Sequence, residues 1–200
     1  MNNSATTRII SKIALEYNGN DKGMAELAAV NFLLSSNPED QFHEMKIVAD
    51  RNSNVEKWAL TGYISPPEEI GKSLSDEELT DIAIEALKKV GVTDLNQFRL
   101  DIHNSTKQKH IHFVVNRMNI HGKCTVKSRK IGERFGEAVR QICQERNLKT
   151  DVEIGIEKKA EMLKNLTECL RTSNNFEELI SKMRAKGFDV QLSSNVKDGI

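Results

Sequence analysis

FRLDIHNSTKQKHIHFVVNR, residues 98–117, holds two strand-like runs, FRLDIH and HIHFVVNR, joined by a short polar connection. Side chains at i and i+2 of a strand share a face, so His110 and His112 point the same way. A hairpin between the two runs brings His103 beside them. A single H-x-H pair in a strand is most often just two polar residues. Here three of the chain's five histidines fall within ten residues on strands spaced to pair, and three converging imidazoles suit a metal ion. His43 and His121 have no comparable neighbours and read as surface residues.

Upstream of this hairpin, Arg8 to Leu15 (RIISKIAL) reads as a first strand. Gly19, Asn20, Asp21 and Gly23 mark a loop. Residues 24–36 then read as a helix, with Leu27, Val30 and Leu34 in one stripe. A short helix is expected over 39–50. Trp58 to Ile64 alternates as a strand and stops at Ser65-Pro66-Pro67, which cannot continue a ladder. Ser75 and Glu78 form a capping box ahead of an amphipathic helix (Leu79, Ile82, Ala83, Ala86, Leu87, Val90) that ends at Gly91.

Downstream, a turn at His121-Gly122 leads to a helix near 128–147, with Ile131, Phe135, Ala138, Val139 and Ile142 inward. This order predicts an α+β fold, an antiparallel sheet covered by helices, over residues 1–150. Residues 151–200 read as a helix-rich C-terminal extension packed on it and cut from a longer protein. It comprises helices over 153–171, with Ile156, Ala160, Leu163 and Leu170 at helical spacing, and over 175–186. Phe188, Val190 and Leu192 then alternate as a short strand.

With 200 residues, one compact domain with appendages is the natural size. No apolar run is long enough to span a membrane and no basic-then-apolar leader opens the chain, so a cytoplasmic protein is expected. Cys124, Cys143 and Cys169 are scattered, without C-x-x-C, and read as thiols in a reducing compartment. The formal net charge of zero hides an asymmetry. Residues 1–98 carry 9 Lys+Arg against 16 Asp+Glu, residues 99–149 carry 12 against 4, and residues 150–200 carry 8 against 9. The basic block is the one with the histidines, and a polyanion lying across a metal site accounts for that better than a merely solvated face. Its candidate contacts are Lys107, Lys109, Arg117, Lys123, Lys127, Arg129, Lys130 and Arg134. Lys127, Arg129 and Lys130 precede a helix, whose free N–H groups also favour phosphate.

The order strand, helix, strand, helix, followed by H…H-x-H-x-x-x-N-R, resembles the relaxases of plasmid and transposon mobilisation, in the HUH endonuclease class, and among them the mobilisation proteins of Bacteroides-type elements. The resemblance covers about residues 8–148 and is most specific in HNSTKQKHIHFVVNR (103–117). The tail NNFEELISKMRAKGFDV (174–190) is similar to a segment that follows in that family. The resemblance implies that His103, His110 and His112 ligate a divalent cation, Mg, Mn or Zn. Asn116 and Arg117 would be the polar, DNA-contacting end of the same strand. It further implies a single-stranded origin of transfer as substrate, accessory mobilisation and coupling proteins as partners, and a tyrosine nucleophile that becomes linked to a DNA 5′ end.

Only Tyr17 and Tyr63 are available. The family's tyrosine sits on the first helix, and in AVNFLL (29–34) Phe32 takes that position, either as an ordinary packing residue or in place of the nucleophile. Tyr17, in the loop before that helix, is the second candidate; Tyr63, in a strand, reads as core. Ser105 stands where related proteins tend to carry an acidic residue, leaving Asp101 to orient an imidazole. Competing readings are a non-cutting origin-binding protein of the same fold, an unrelated metal hydrolase, and a structural zinc site. The last is disfavoured by the lack of a fourth ligand nearby.

Overall fold

The computed structural model describes residues 1–104 and 108–191. The chain divides into two compact units, Met1–Asp151 and Val152–Ile200. The first is built on five strands, β1 (Asn2–Arg8), β2 (Ala25–Asn31), β3 (Ala59–Ser65), β4 (Asn96–His103) and β5 (His110–Asn119), in the order β1-β3-β5-β4-β2 with every neighbouring pair antiparallel. Five helices accompany it: α1 (Lys12–Asn18), α2 (Pro38–Ala49), α3 (Glu68–Ser73), α4 (Asp76–Lys89) and α5 (Ile131–Glu145).

Strand alternation sorts the sheet into two faces. Leu60, Ile64, Leu100, Ile102, Ile111, Phe113 and Val115 fall on one face and pack with Leu79, Ile82 and Leu87 of α4 and Phe135, Val139 and Ile142 of α5 to form the main core. Both helices start and run as their residues require. Ser75 and Glu78 close a reciprocal capping box on α4, and α5 buries the apolar stripe expected of it. Gly62, opposite Phe113, has no room for a side chain: a Cβ there would lie 2.0 Å from the Ser4 carbonyl oxygen and 2.5 Å from the Phe113 ring. The opposite face is only partly covered: Leu15 of α1 and Met45 and Val48 of α2 pack over Val114, Met118 and Trp58. Asn37 caps α2 by accepting from the Glu39 and Asp40 amides, with Pro38 at its first position. Lys12 at the start of α1 pairs with Glu39 at 2.6 Å, which raises the lysine's pKa and lowers the carboxyl's.

Two expected elements are replaced. The first strand is Asn2–Arg8 rather than 8–15. Its outward residues are Ser4, Thr6 and Arg8, all exposed, so the strand lacks the apolar look of a buried one, while Ile13 and Leu15 belong to α1. Residues 24–36 are not a helix. Ala25–Asn31 forms edge strand β2, paired with β4, and Leu27, Val30 and Leu34 are exposed. The i, i+3, i+7 spacing there is coincidental; satisfying the outer backbone groups of β4 outweighs the helix propensity of AELAA.

The second unit holds α6 (Asp151–Thr172, which begins one residue earlier) and α7 (Phe176–Ala185), with a small core of Cys169, Leu179 and Met183. Ile156, Leu163 and Leu170, at helical spacing on α6, are exposed. Residues 188–191 are not a strand, and Leu192 lies outside the described residues. Among the described residues, no helix is long and apolar enough to cross a membrane.

Candidate active site

The β4–β5 hairpin sets His103 directly opposite His110 and Asp101 opposite His112, so the three imidazoles rise from the partly covered face. Their ring centroids are 4.5 to 5.1 Å apart, and one nitrogen from each falls within 4.8 Å of the others. His103 is buried, and the other two are half-open to solvent. His103 Nε2 lies 2.6 Å from the Asn18 carbonyl oxygen, and His110 Nδ1 lies 3.0 Å from the Gln108 carbonyl. A carbonyl only accepts, so these two contacts place a proton on His103 Nε2 and on His110 Nδ1. This is the orientation by outer partners that metal-bound imidazoles receive. The donor set and the spacing fit one divalent cation, with positions left for a substrate oxygen.

The Asn18 contact also brings in α1. Tyr17 occupies the last turn of this helix and is 70% exposed. It lines a groove of about 560 Å³ together with Arg8, Ile13, Thr61, Tyr63 and His112. Beneath the helix end, buried Arg99 donates to both carboxylate oxygens of Asp101 (2.7 to 3.0 Å) and to Gln41 Oε1 of α2 at 2.8 Å. A Cβ on Gly19 would sit 2.7 Å from the Arg99 guanidinium, so only glycine lets α1 close this tightly. Asp101 is thus in the site, opposite His112, with its carboxylate held by Arg99.

Several expected residues lie elsewhere. Phe32 is on no helix. It follows β2 with φ 49°, beyond the Asn31–Phe98 pair and at the other end of the strand from the Ala25–His103 pair. By strand rise that is about 20 Å from the histidines, so Phe32 lies away from the histidine cluster rather than on a helix beside it. Tyr63 is not core. Half-exposed, it stands directly opposite His112, with ring centroids 6.0 Å apart. Asn116 is fully buried and donates to Met45 O and Gln97 Oε1. Arg117, one residue on, points to the opposite face, where it is buried and donates to the carbonyls of Val126 and Lys57. Neither is placed to meet DNA.

Lys109 pairs with Asp76 at the start of α4, 2.6 Å away. Lys107 and Ser105 lie outside the described residues. Lys127, Arg129, Lys130 and Arg134 line a second hollow of about 610 Å³, beside α5. Lys130 pairs with Glu133, and Arg134 donates to the carbonyls of Lys127 and Val90. Lys127, Lys130 and Arg129 are exposed. Sequence reasoning missed Arg8, Thr61 and the Asn18 carbonyl. Alternation along β1 and β3 would have put Arg8 and Thr61 on one face, but nothing local signals a backbone carbonyl folded onto a histidine.

No curated protein and no solved structure matches the chain. The family model described as relaxase, MobA/VirD2-like, nuclease domain, matches residues 17–148. That span starts at the exposed tyrosine of α1, contains all three histidines and ends just after α5. The match covers about two thirds of the chain, and the chain belongs to the MobA/VirD2-like relaxase nuclease-domain family.

Proposed function

We propose that this chain nicks one strand of DNA by transesterification, with Tyr17 as the nucleophile. The observation that carries the reading is that the helix bearing Tyr17 ends on the histidine centre, its Asn18 carbonyl accepting from His103. In the reaction the Tyr17 phenolic oxygen gives up its proton and bonds to the scissile phosphorus. The bond from phosphorus to the 3′-oxygen breaks, and that oxygen leaves with a proton as a 3′-hydroxyl. One phosphodiester is exchanged for another, so the bond is kept for rejoining.

His103, His110 and His112 would hold a divalent cation, which when bound would supply Lewis-acid polarisation of the scissile phosphate. Arg8 lines the same groove and offers a positive charge to a neighbouring phosphate. Lys127 and Arg129 give the far side of the unit a second place for the polyanion. The substrate in this reading is the single-stranded origin of transfer of a mobilisable plasmid or transposon, such as a Bacteroides-type element, and the relaxase match over residues 17–148 supports a single-stranded origin as substrate. Accessory mobilisation and coupling proteins would act on the same DNA.

The test is incubation of labelled candidate origin strands with Mn or Mg, followed by mass analysis of any covalent peptide adduct. An adduct on Tyr17 that disappears in Tyr17→Phe, and does not return in Tyr17→Phe with Phe32→Tyr, is the expected result. An adduct that persists in Tyr17→Phe overturns the assignment. Specific binding without any adduct would favour the non-cutting origin-binding protein.

A further inference from the structure

We infer that Tyr63 and Thr61 form a nucleobase subsite on the open sheet face beside the histidines; this rests on the single-strand DNA reading above. Register aligns Ser4, Tyr63, His112 and Asp101 in one row across four strands, with Thr6, Thr61 and Val114 in the next row. Directly opposite strand residues share a face, so Tyr63, Thr61, Ser4 and Thr6 form the floor of the groove that Tyr17 overhangs.

The chemistry of this floor is that of a base rather than of a phosphate. Tyr63 is a large aromatic left 37% exposed in the middle of a paired strand, with its ring tilted 56° to that of His112. Thr61 is only 7% exposed, and its hydroxyl has no hydrogen-bond partner among the described residues. A buried hydroxyl without a partner is unfavourable by itself and is relieved by a ligand that offers one. Hydroxyls both donate and accept, which matches the mixed edge of a base. An open aromatic face offers stacking to any base. The floor carries no cation; Arg8, at its rim, and the histidine centre are left to take phosphates. Because Tyr63 neighbours a ligand of the centre, the base it stacks belongs to the nucleotide flanking the scissile phosphate.

The test compares binding, by fluorescence anisotropy, of a labelled thymidine oligonucleotide and a fully abasic strand of the same length and charge. The wild-type chain binds the thymidine strand more tightly. In Tyr63→Leu that preference falls about tenfold, as loss of one stacked base implies, while Tyr63→Phe keeps it and Thr61→Val lowers it severalfold. Metal uptake by each variant, followed by calorimetry, checks that the site is intact. An unchanged preference in Tyr63→Leu overturns the inference. No cleavage is read, so a chain that binds bases through Tyr63 yet forms no Tyr17 adduct overturns the nickase and leaves the subsite standing. The converse result overturns the subsite alone.

Discussion

His103 of β4 donates its Nε2 hydrogen to the Asn18 carbonyl at the end of α1, 2.6 Å away. This bond ties the end of α1 to the histidine centre and holds Tyr17, the preceding residue, at its edge. The approach depends on Gly19, whose missing Cβ makes room for the Arg99 guanidinium. That guanidinium is pinned by Asp101 and Gln41 and cannot swing aside. Gly19→Ala is therefore expected to cost about 1–3 kcal/mol by overpacking and to weaken Mn uptake. Thermal denaturation and calorimetry measure both, and a variant with wild-type melting would show that α1 yields freely.

Removing the two half-exposed imidazoles tests the centre itself. His110→Ala combined with His112→Ala should abolish stoichiometric Mn or Zn uptake in calorimetry. Stability should change by less than about 1 kcal/mol, as for other substitutions outside the core. Retained stoichiometric uptake would move the metal elsewhere.

The pair of Arg99 and Asp101 is almost wholly buried. Asp101→Ala strands a guanidinium in the interior and should cost about 3–5 kcal/mol in urea denaturation. Arg99→Met with Asp101→Leu should cost much less, because no charge is then left unpaired. Equal losses in the single and double variants would contradict that origin of the effect.

Binding of single-stranded DNA should weaken steeply with salt. If Lys127 and Arg129 each neutralise one phosphate, replacing both with alanine should flatten the slope of log affinity against log salt by about 1.4 and leave metal uptake untouched. An unchanged slope would assign the electrostatic contact to Arg8 and the groove alone.

The sequence by itself determined the hairpin of β4 and β5, the three histidines on one face, the capping box of α4 and the inward stripe of α5. Each of these is a local pattern: alternation of period two, a cap three residues from its partner, or a stripe at helical spacing. It misread the first thirty residues. β1 is polar because one of its faces is open groove, and β2 is a strand only because β4 has an edge to pair. Those are properties of the neighbours, invisible in the residues themselves. The same error put Phe32 on a helix and Tyr17 in a loop, whereas the fold makes the short α1 the first helix. Only tertiary structure could set Asn18 on His103 and Tyr63 opposite His112. It also buried Asn116 and Arg117, because which polar residue a packed helix or loop covers depends on chain segments far away in sequence.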